Sequence, residues 1–173
     1  LKTPIDLLDN EKIRLGTGND LEIYHDGTHS RIHNTTGNLY VRANDGFGIF
    51  NGDGSETLFN VNTNGAVELY YDNIKTFQTD GNGIMVYGPE GGTANVYIYA
   101  DEGDDNADKF QLTVNDGGPF HIQNRKSGGV ETNLKCYGDG AVELYHDNSK
   151  KLETTTDGVQ VTGEVVSGTL HCS

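Results

Sequence analysis

Two stretches of this chain, Gly65-Ala66-Val67-Glu68-Leu69-Tyr70-Tyr71-Asp72-Asn73 and Gly140-Ala141-Val142-Glu143-Leu144-Tyr145-His146-Asp147-Asn148, differ at one position. The match continues without a gap through Lys75 with Lys150, Thr79 with Thr154, Gly83 with Gly158, Val86 with Val161 and Gly88 with Gly163. The period is about 75 residues, so the two stretches are copies of one structural unit. A shorter echo stands at Leu21-Glu22-Ile23-Tyr24-His25-Asp26-Gly27. Glu56-Thr57 recurs as Glu131-Thr132, and Phe47-x-Ile49-x-Asn51 as Phe120-x-Ile122-x-Asn124. These matches divide the chain into a leading segment, 1–18, a first β-repeat module, 19–88, a second, 93–163, and a linker, 164–173, into a downstream region.

Within each copy the polarity alternates with period two. Val67, Leu69 and Tyr71 fall on one face, Glu68 and Tyr70 on the other, and Asp72-Asn73 makes a turn. Returning runs such as Thr76-Phe77-Gln78-Thr79 and Ile84-Met85-Val86-Tyr87 are short, and none keeps a 3.6-residue apolar stripe. The 24 glycines punctuate these runs, while Pro stays at 3. Seven Asp-Gly pairs, at Asp26, Asp45, Asp53, Asp80, Asp116, Asp139 and Asp157, favour tight turns because both residues tolerate positive φ. The expected fold class is all-β, built of repeated short hairpin modules with almost no helix.

Apolar residues make up only 34% of the chain and Trp is absent, which is thin material for one large core. Isolated hairpins with a single apolar face are marginal in water, so stacking along the chain or pairing between chains must supply the missing burial. Three chains around a common axis would pool their apolar faces, remove exposed strand edges and leave acidic faces in water. The sequence therefore predicts an elongated, intertwined or stacked homotrimeric β-fibre.

A formal charge of −14 repels phosphate backbones, and the scattered Lys and Arg residues form no basic stripe, which argues against nucleic-acid binding. No apolar run approaches the roughly 20 residues that span a bilayer, and Leu1-Lys2-Thr3-Pro4-Ile5-Asp6 lacks a signal-peptide hydrophobic region. The chain reads as a soluble piece of something larger, with no membrane insertion. Cys136 and Cys172 lie far apart without CxxC spacing and support neither a zinc site nor a disulfide framework. Cys136 reads as a small packed residue in a strand.

Three strings carry a resemblance: Ile13-Arg14-Leu15-Gly16-Thr17-Gly18-Asn19-Asp20-Leu21-Glu22-Ile23-Tyr24-His25-Asp26-Gly27, Ala100-Asp101-Glu102-Gly103-Asp104-Asp105-Asn106-Ala107-Asp108-Lys109, and Val142-Glu143-Leu144-Tyr145-His146-Asp147-Asn148-Ser149-Lys150-Lys151. They resemble repeats in tail-fibre and virion structural proteins of tailed phages, particularly marine cyanophages, over most of the chain. The resemblance implies an elongated homotrimeric fibre segment on a virion or otherwise extracellular. No catalytic residue comes with it.

Several constellations imitate sites. His25, His29 and His33 recur every four residues, a metal-ligand stripe on a helix, but Gly27 places them on a strand, a turn and a second strand, where that spacing loses its meaning. His29 and His33 could still meet partners around a trimer axis. Asp104, Asn106 and Asp108 copy the alternate-residue opening of a calcium loop. Lys109 stands where the sharp-turn Gly is needed and Asn115 where the bidentate Glu belongs, so the segment reads as a solvated acidic turn, with calcium the one cofactor to consider. Asn51, Asp53 and Ser55 imitate the spacing more weakly. Tyr70, Tyr87, Tyr97, Tyr99 and Tyr145 could stack on sugar rings, although cross-strand packing explains them as readily. Asn34-Thr35-Thr36 is a formal glycosylation sequon. No nucleophile elbow, HExxH or phosphate-cradling loop is present, and a pair of carboxylates for glycoside cleavage would have to be assembled between chains.

The expected function is a structural shaft segment of a phage tail fibre or virion appendage, supporting host attachment without catalysis. Its expected partner is itself, with a host surface glycan as a further one. The alternatives are a carbohydrate-binding adhesin module and a subunit of a cellular extracellular filament.

Overall fold

The computed structural model describes residues 4–168. The chain is all-β. Among the described residues fifteen strands form three antiparallel sheets, and the only helical elements are two three-residue 3-10 turns, Asp101–Gly103 and Asn106–Asp108. The chain divides into two compact units between Asn44 and Asp45, inside the stretch 19–88 that the sequence suggests as one module.

The first unit holds β1 (Ile13–Leu15), β2 (Leu21–His25) and β3 (Ser30–Asn34) in that order. Ile13, Ile23 and Ile32 form a cross-strand row on one face, and Arg14, Glu22 and His33 form one on the other.

The second unit holds the other two sheets. Five strands run in sequence order, β4 (Gly46–Phe50), β5 (Thr57–Asn62), β6 (Val67–Tyr71), β7 (Ile74–Asp80) and β8 (Gly83–Val86). Seven more follow as an up-and-down meander: β9 (Thr93–Tyr99), β10 (Lys109–Asn115), β11 (Phe120–Asn124), β12 (Glu131–Cys136), β13 (Val142–His146), β14 (Ser149–Thr155) and β15 (Gly158–Val161).

Local chemistry accounts for these hairpins. Asp72 and Asn73 take φ of 52° and 60°, and Asp147 and Asn148 take 48° and 57°. Two successive positive φ values make the two-residue turn whose twist matches that of paired strands, and Asp and Asn are among the few side chains that tolerate it. The asparagine side chains also tie the turns to neighbouring strands. Asn73 Oδ1 accepts from Thr57 N at 2.9 Å, and Asn148 Oδ1 accepts from Thr132 N at 2.8 Å.

Not every Asp-Gly pair is a tight turn. Gly46 opens β4 opposite Asn62, and a Cβ there would lie 2.6 Å from the Val61 carbonyl oxygen. Close backbone approach, not positive φ, is what demands glycine at that position. Gly88 is needed for the same reason at the link from β8 to β9, where a Cβ would lie 2.6 Å from the Thr93 carbonyl carbon.

Registers in the two larger sheets agree strand by strand. Ile49, Phe59, Leu69, Phe77 and Val86 form one row across β4–β8, with β-bulges after Ile49 and Leu69. Ile122, Leu134, Leu144, Leu152 and Val161 form the corresponding row across β11–β15, with bulges after Ile122 and Leu144. The hairpin β9–β10 extends the second row by Leu112 and Val96 and has no counterpart in the five-stranded sheet.

Candidate functional site

The two faces of the seven-stranded sheet differ in an unexpected direction. Among the described residues no hydrophobic side chain is buried, whereas Gln111, Thr113, His121 and Glu143 are, at 6%, 6%, 7% and 8% exposure. These four belong to the polar face, where Asn95, Thr113, His121, Lys135, Glu143, Glu153 and Gln160 form one row across all seven strands. On the opposite face Val96, Leu144 and Val161 keep 38%, 42% and 41% of their surface exposed. On the acidic face Glu143 is covered by its neighbours. Long side chains lying flat over a carboxylate cover it better than one layer of aliphatic residues can cover itself.

Each copy of the repeat builds the same cluster. Tyr70 Oη donates to Glu68 Oε2 at 2.9 Å and Lys75 Nζ to Glu68 Oε1 at 3.0 Å. Tyr145 Oη donates to Glu143 Oε2 at 2.5 Å, and Lys150 Nζ reaches Glu143 at 3.0 Å and Glu153 at 2.6 Å. In the first unit Lys12 Nζ lies 2.7 Å and Arg14 Nε 3.2 Å from the Glu22 carboxylate.

The electrostatics follow from these contacts. The Lys75 hydrogen bond, with that of Tyr70, holds Glu68 below its usual range. The Tyr145 hydroxyl and then Lys150 do the same for Glu143, and Lys12 for Glu22. Burial and the adjacent carboxylate push Tyr145 up to about 12. Lys150, bonded to Glu153 and Glu143, is raised. His121 hydrogen-bonds with Asn115 through Nε2 at 3.3 Å and with Gln123 through Nδ1 at 3.4 Å, and burial, assisted by Lys135, lowers its pKa. Every buried side-chain nitrogen and oxygen among the described residues has a partner.

The sequence-suggested ligands make local hydrogen bonds. Asp104 Oδ1 accepts from Asp105 N at 2.9 Å, and Asn106 Oδ1 accepts from Lys109 Nζ at 3.3 Å. Asp108 lies in the second 3-10 turn. No three His, Cys, Asp or Glu side chains converge among the described residues. His25 Nδ1 is 3.3 Å from Ser30 Oγ, His29 lies in the turn bonded to Asp26, and His33 Nδ1 is 3.8 Å from Glu22. Asn51, Asp53 and Ser55 close a local loop in which Ser55 Oγ donates to Asp53 at 2.6 Å and Asn51 Nδ2 to Ser55 Oγ at 3.0 Å. Asn34 Nδ2 donates to the Thr36 and Gly37 carbonyls.

The tyrosines divide into two sets. Tyr70 and Tyr145 are half-buried in the glutamate clusters, and Tyr87 is half-buried with its hydroxyl 2.9 Å from Met85 Sδ. Tyr97 and Tyr99 are exposed on β9, ring centroids 5.8 Å apart. Cys136 is a free thiol on the apolar face, opposite Phe120 and Val142, and Cys172 lies outside the described residues. The polar row escaped residue-by-residue reading. Its signal is the seven-residue step from Glu to Lys, present in both copies.

Fold and faces together define a class: an antiparallel all-β chain of three sheets with a self-paired polar face and an open apolar one. No family model matches it, and no curated protein or solved structure does. No helix among the described residues is long and apolar enough to cross a membrane.

Proposed function

We propose that this chain is a structural segment of a homotrimeric fibre, a shaft of a phage tail fibre or virion appendage that supports host attachment and performs no catalysis. One observation carries the reading: a chain with every strand paired in a sheet still buries no hydrophobic side chain among its described residues. Function on this reading is mechanical. Repeats set length, interchain burial sets stiffness, and the net charge of −14 keeps neighbouring fibres apart.

Light scattering with negative-stain microscopy tests it, in the presence and absence of a chelator. The expected particle is an elongated trimer indifferent to chelation. A compact monomer would sink the proposal.

Tyr97 and Tyr99 favour a second reading, a glycan-binding adhesin module, because two exposed rings side by side on one strand offer a surface for sugar stacking. An array of host-type glycans probed at high avidity decides it, and absence of binding would remove it.

A further inference from the structure

We propose that Met85, the single methionine of the chain, is a redox modification site: a peroxide converts its thioether to the sulfoxide, and Tyr87 and Gln78 hold the added oxygen. Neither the fibre reading nor the glycan reading above bears on it.

Met85 lies on the polar face of the five-stranded sheet, where Asn60, Glu68, Gln78 and Met85 form one cross-strand row over β5–β8. It is 40% exposed on the edge strand β8, open to a small oxidant. Two donors point at its sulfur. Tyr87 Oη donates to Sδ at 2.9 Å and Gln78 Nε2 at 3.7 Å. Lys75 holds both donors: its Nζ lies 5.3 Å from the Tyr87 ring centroid and donates to Gln78 Oε1. With its oxygen engaged by Lys75, the Gln78 amide presents its nitrogen to the sulfur. A thioether is a weak acceptor, so two donors gain little from it. A sulfoxide oxygen is polar and accepts from both.

The second copy of the repeat gives independent support. At the period of about 75 residues Met85 corresponds to Gln160, which takes the same place in the row Lys135, Glu143, Glu153, Gln160. Methionine sulfoxide and glutamine both carry an oxygen on the δ atom, so the repeat already accommodates that oxygen at this position. Tyr87 and Gln78 correspond to Thr162 and Glu153. The phenol and the amide thus occur in the copy that has the sulfur and not in the other.

The step balances with hydrogen peroxide as the oxidant. The sulfur lone pair attacks one peroxide oxygen, the O–O bond breaks, an S–O bond forms, and the second oxygen leaves as water with the proton of the first. The thioether is oxidised by two electrons and the peroxide is reduced by two.

The test treats the full chain with dilute hydrogen peroxide and follows it by peptide mass mapping and by thermal unfolding. Met85→Leu is run alongside to subtract oxidation at the cysteines. The expected result is one oxygen added at Met85 and an unfolding midpoint raised by roughly 2–4 °C, the shift that one net hydrogen bond gives a chain of this length. Tyr87→Phe is expected to gain the same oxygen with no such rise. A Met85 left unmodified by peroxide that oxidises it in the denatured chain would overturn the proposal. So would an oxidised parent whose midpoint stays or falls, or a Tyr87→Phe protein stabilised as much as the parent.

Discussion

Glu143 and Leu144 are chain neighbours on opposite faces of β13, and the glutamate is 8% exposed while the leucine is 42% exposed. The usual order, apolar in and charged out, is reversed within one chain. The glutamate is covered because Tyr145 and Lys150 lie over it with their polar tips bonded to its carboxylate. The leucine is open because its cross-strand neighbours, Leu134 and Leu152, flank it without covering it.

Removing the Tyr145 hydroxyl separates hydrogen bonding from packing in that cluster. Tyr145→Phe keeps the ring and leaves Glu143 Oε2 without its donor. The expected loss is about 1 kcal/mol, a charged hydrogen bond discounted for partial solvent access. Chemical denaturation measures it. The same loss in a Glu143→Ala background, which has no acceptor, would show that the hydroxyl acts elsewhere.

Asn148 has two duties, a φ of 57° and an acceptor for Thr132 N. Asn148→Gly keeps the turn and loses the acceptor, whereas Asn148→Ala loses both. The alanine variant is expected to be less stable than the glycine variant by about 1 kcal/mol, the left-handed penalty for a side chain with a Cβ. Equal stabilities would mean that turn geometry contributes nothing at this position.

Acid should weaken the fold in two stages. His121 has its pKa lowered from 6.5 by burial, so the unfolded chain takes up its proton first. Its contribution is complete above 6.5 and is lost as pH falls through the folded value. Glu68 and Glu143, lowered from 4.5 chiefly by Lys75 and by Tyr145, lose theirs below 4.5. Thermal unfolding across this range is expected to show both declines, and His121→Asn to abolish only the first. Alkali acts in the opposite sense on Tyr145. Its pKa is raised from 10.0 to about 12, so its contribution holds below 10 and fades as pH rises through 12.

Calcium is expected to leave the unfolding midpoint where it is. Asp104 Oδ1 and Asn106 Oδ1 already accept from Asp105 N and Lys109 Nζ, and no three His, Cys, Asp or Glu side chains converge among the described residues. A midpoint that rises with calcium in the parent protein and not in Asp104→Asn would reverse this.

Much of the fold is legible in local signals. Alternation through Val67–Tyr71 and Val142–His146 marks strands, and Asp72-Asn73 and Asp147-Asn148 mark their turns, because side-chain period and positive φ are properties of a few adjacent residues. Gly88-Pro89 and Gly91-Gly92 likewise announce the break before β9. The division between Asn44 and Asp45 is not legible, since it lies within a stretch whose echoes of the second copy continue on both sides. The Glu143 cluster is half legible: the sequence spaces Glu, Tyr and Lys alike in both copies, but nothing in that spacing says they touch.

By itself, then, the sequence determined the strands, the turns and the recurrence of one unit about every 75 residues, all consequences of short-range backbone preference. Only the tertiary structure decided which face is covered. Covering Glu143 depends on cross-strand register, which places Lys135 opposite it on β12 and Glu153 opposite it on β14, and on a bulge after Leu144 that sets Tyr145 against Lys150. Register couples residues from separate strands through backbone pairing, and a slip of one residue would exchange the two faces.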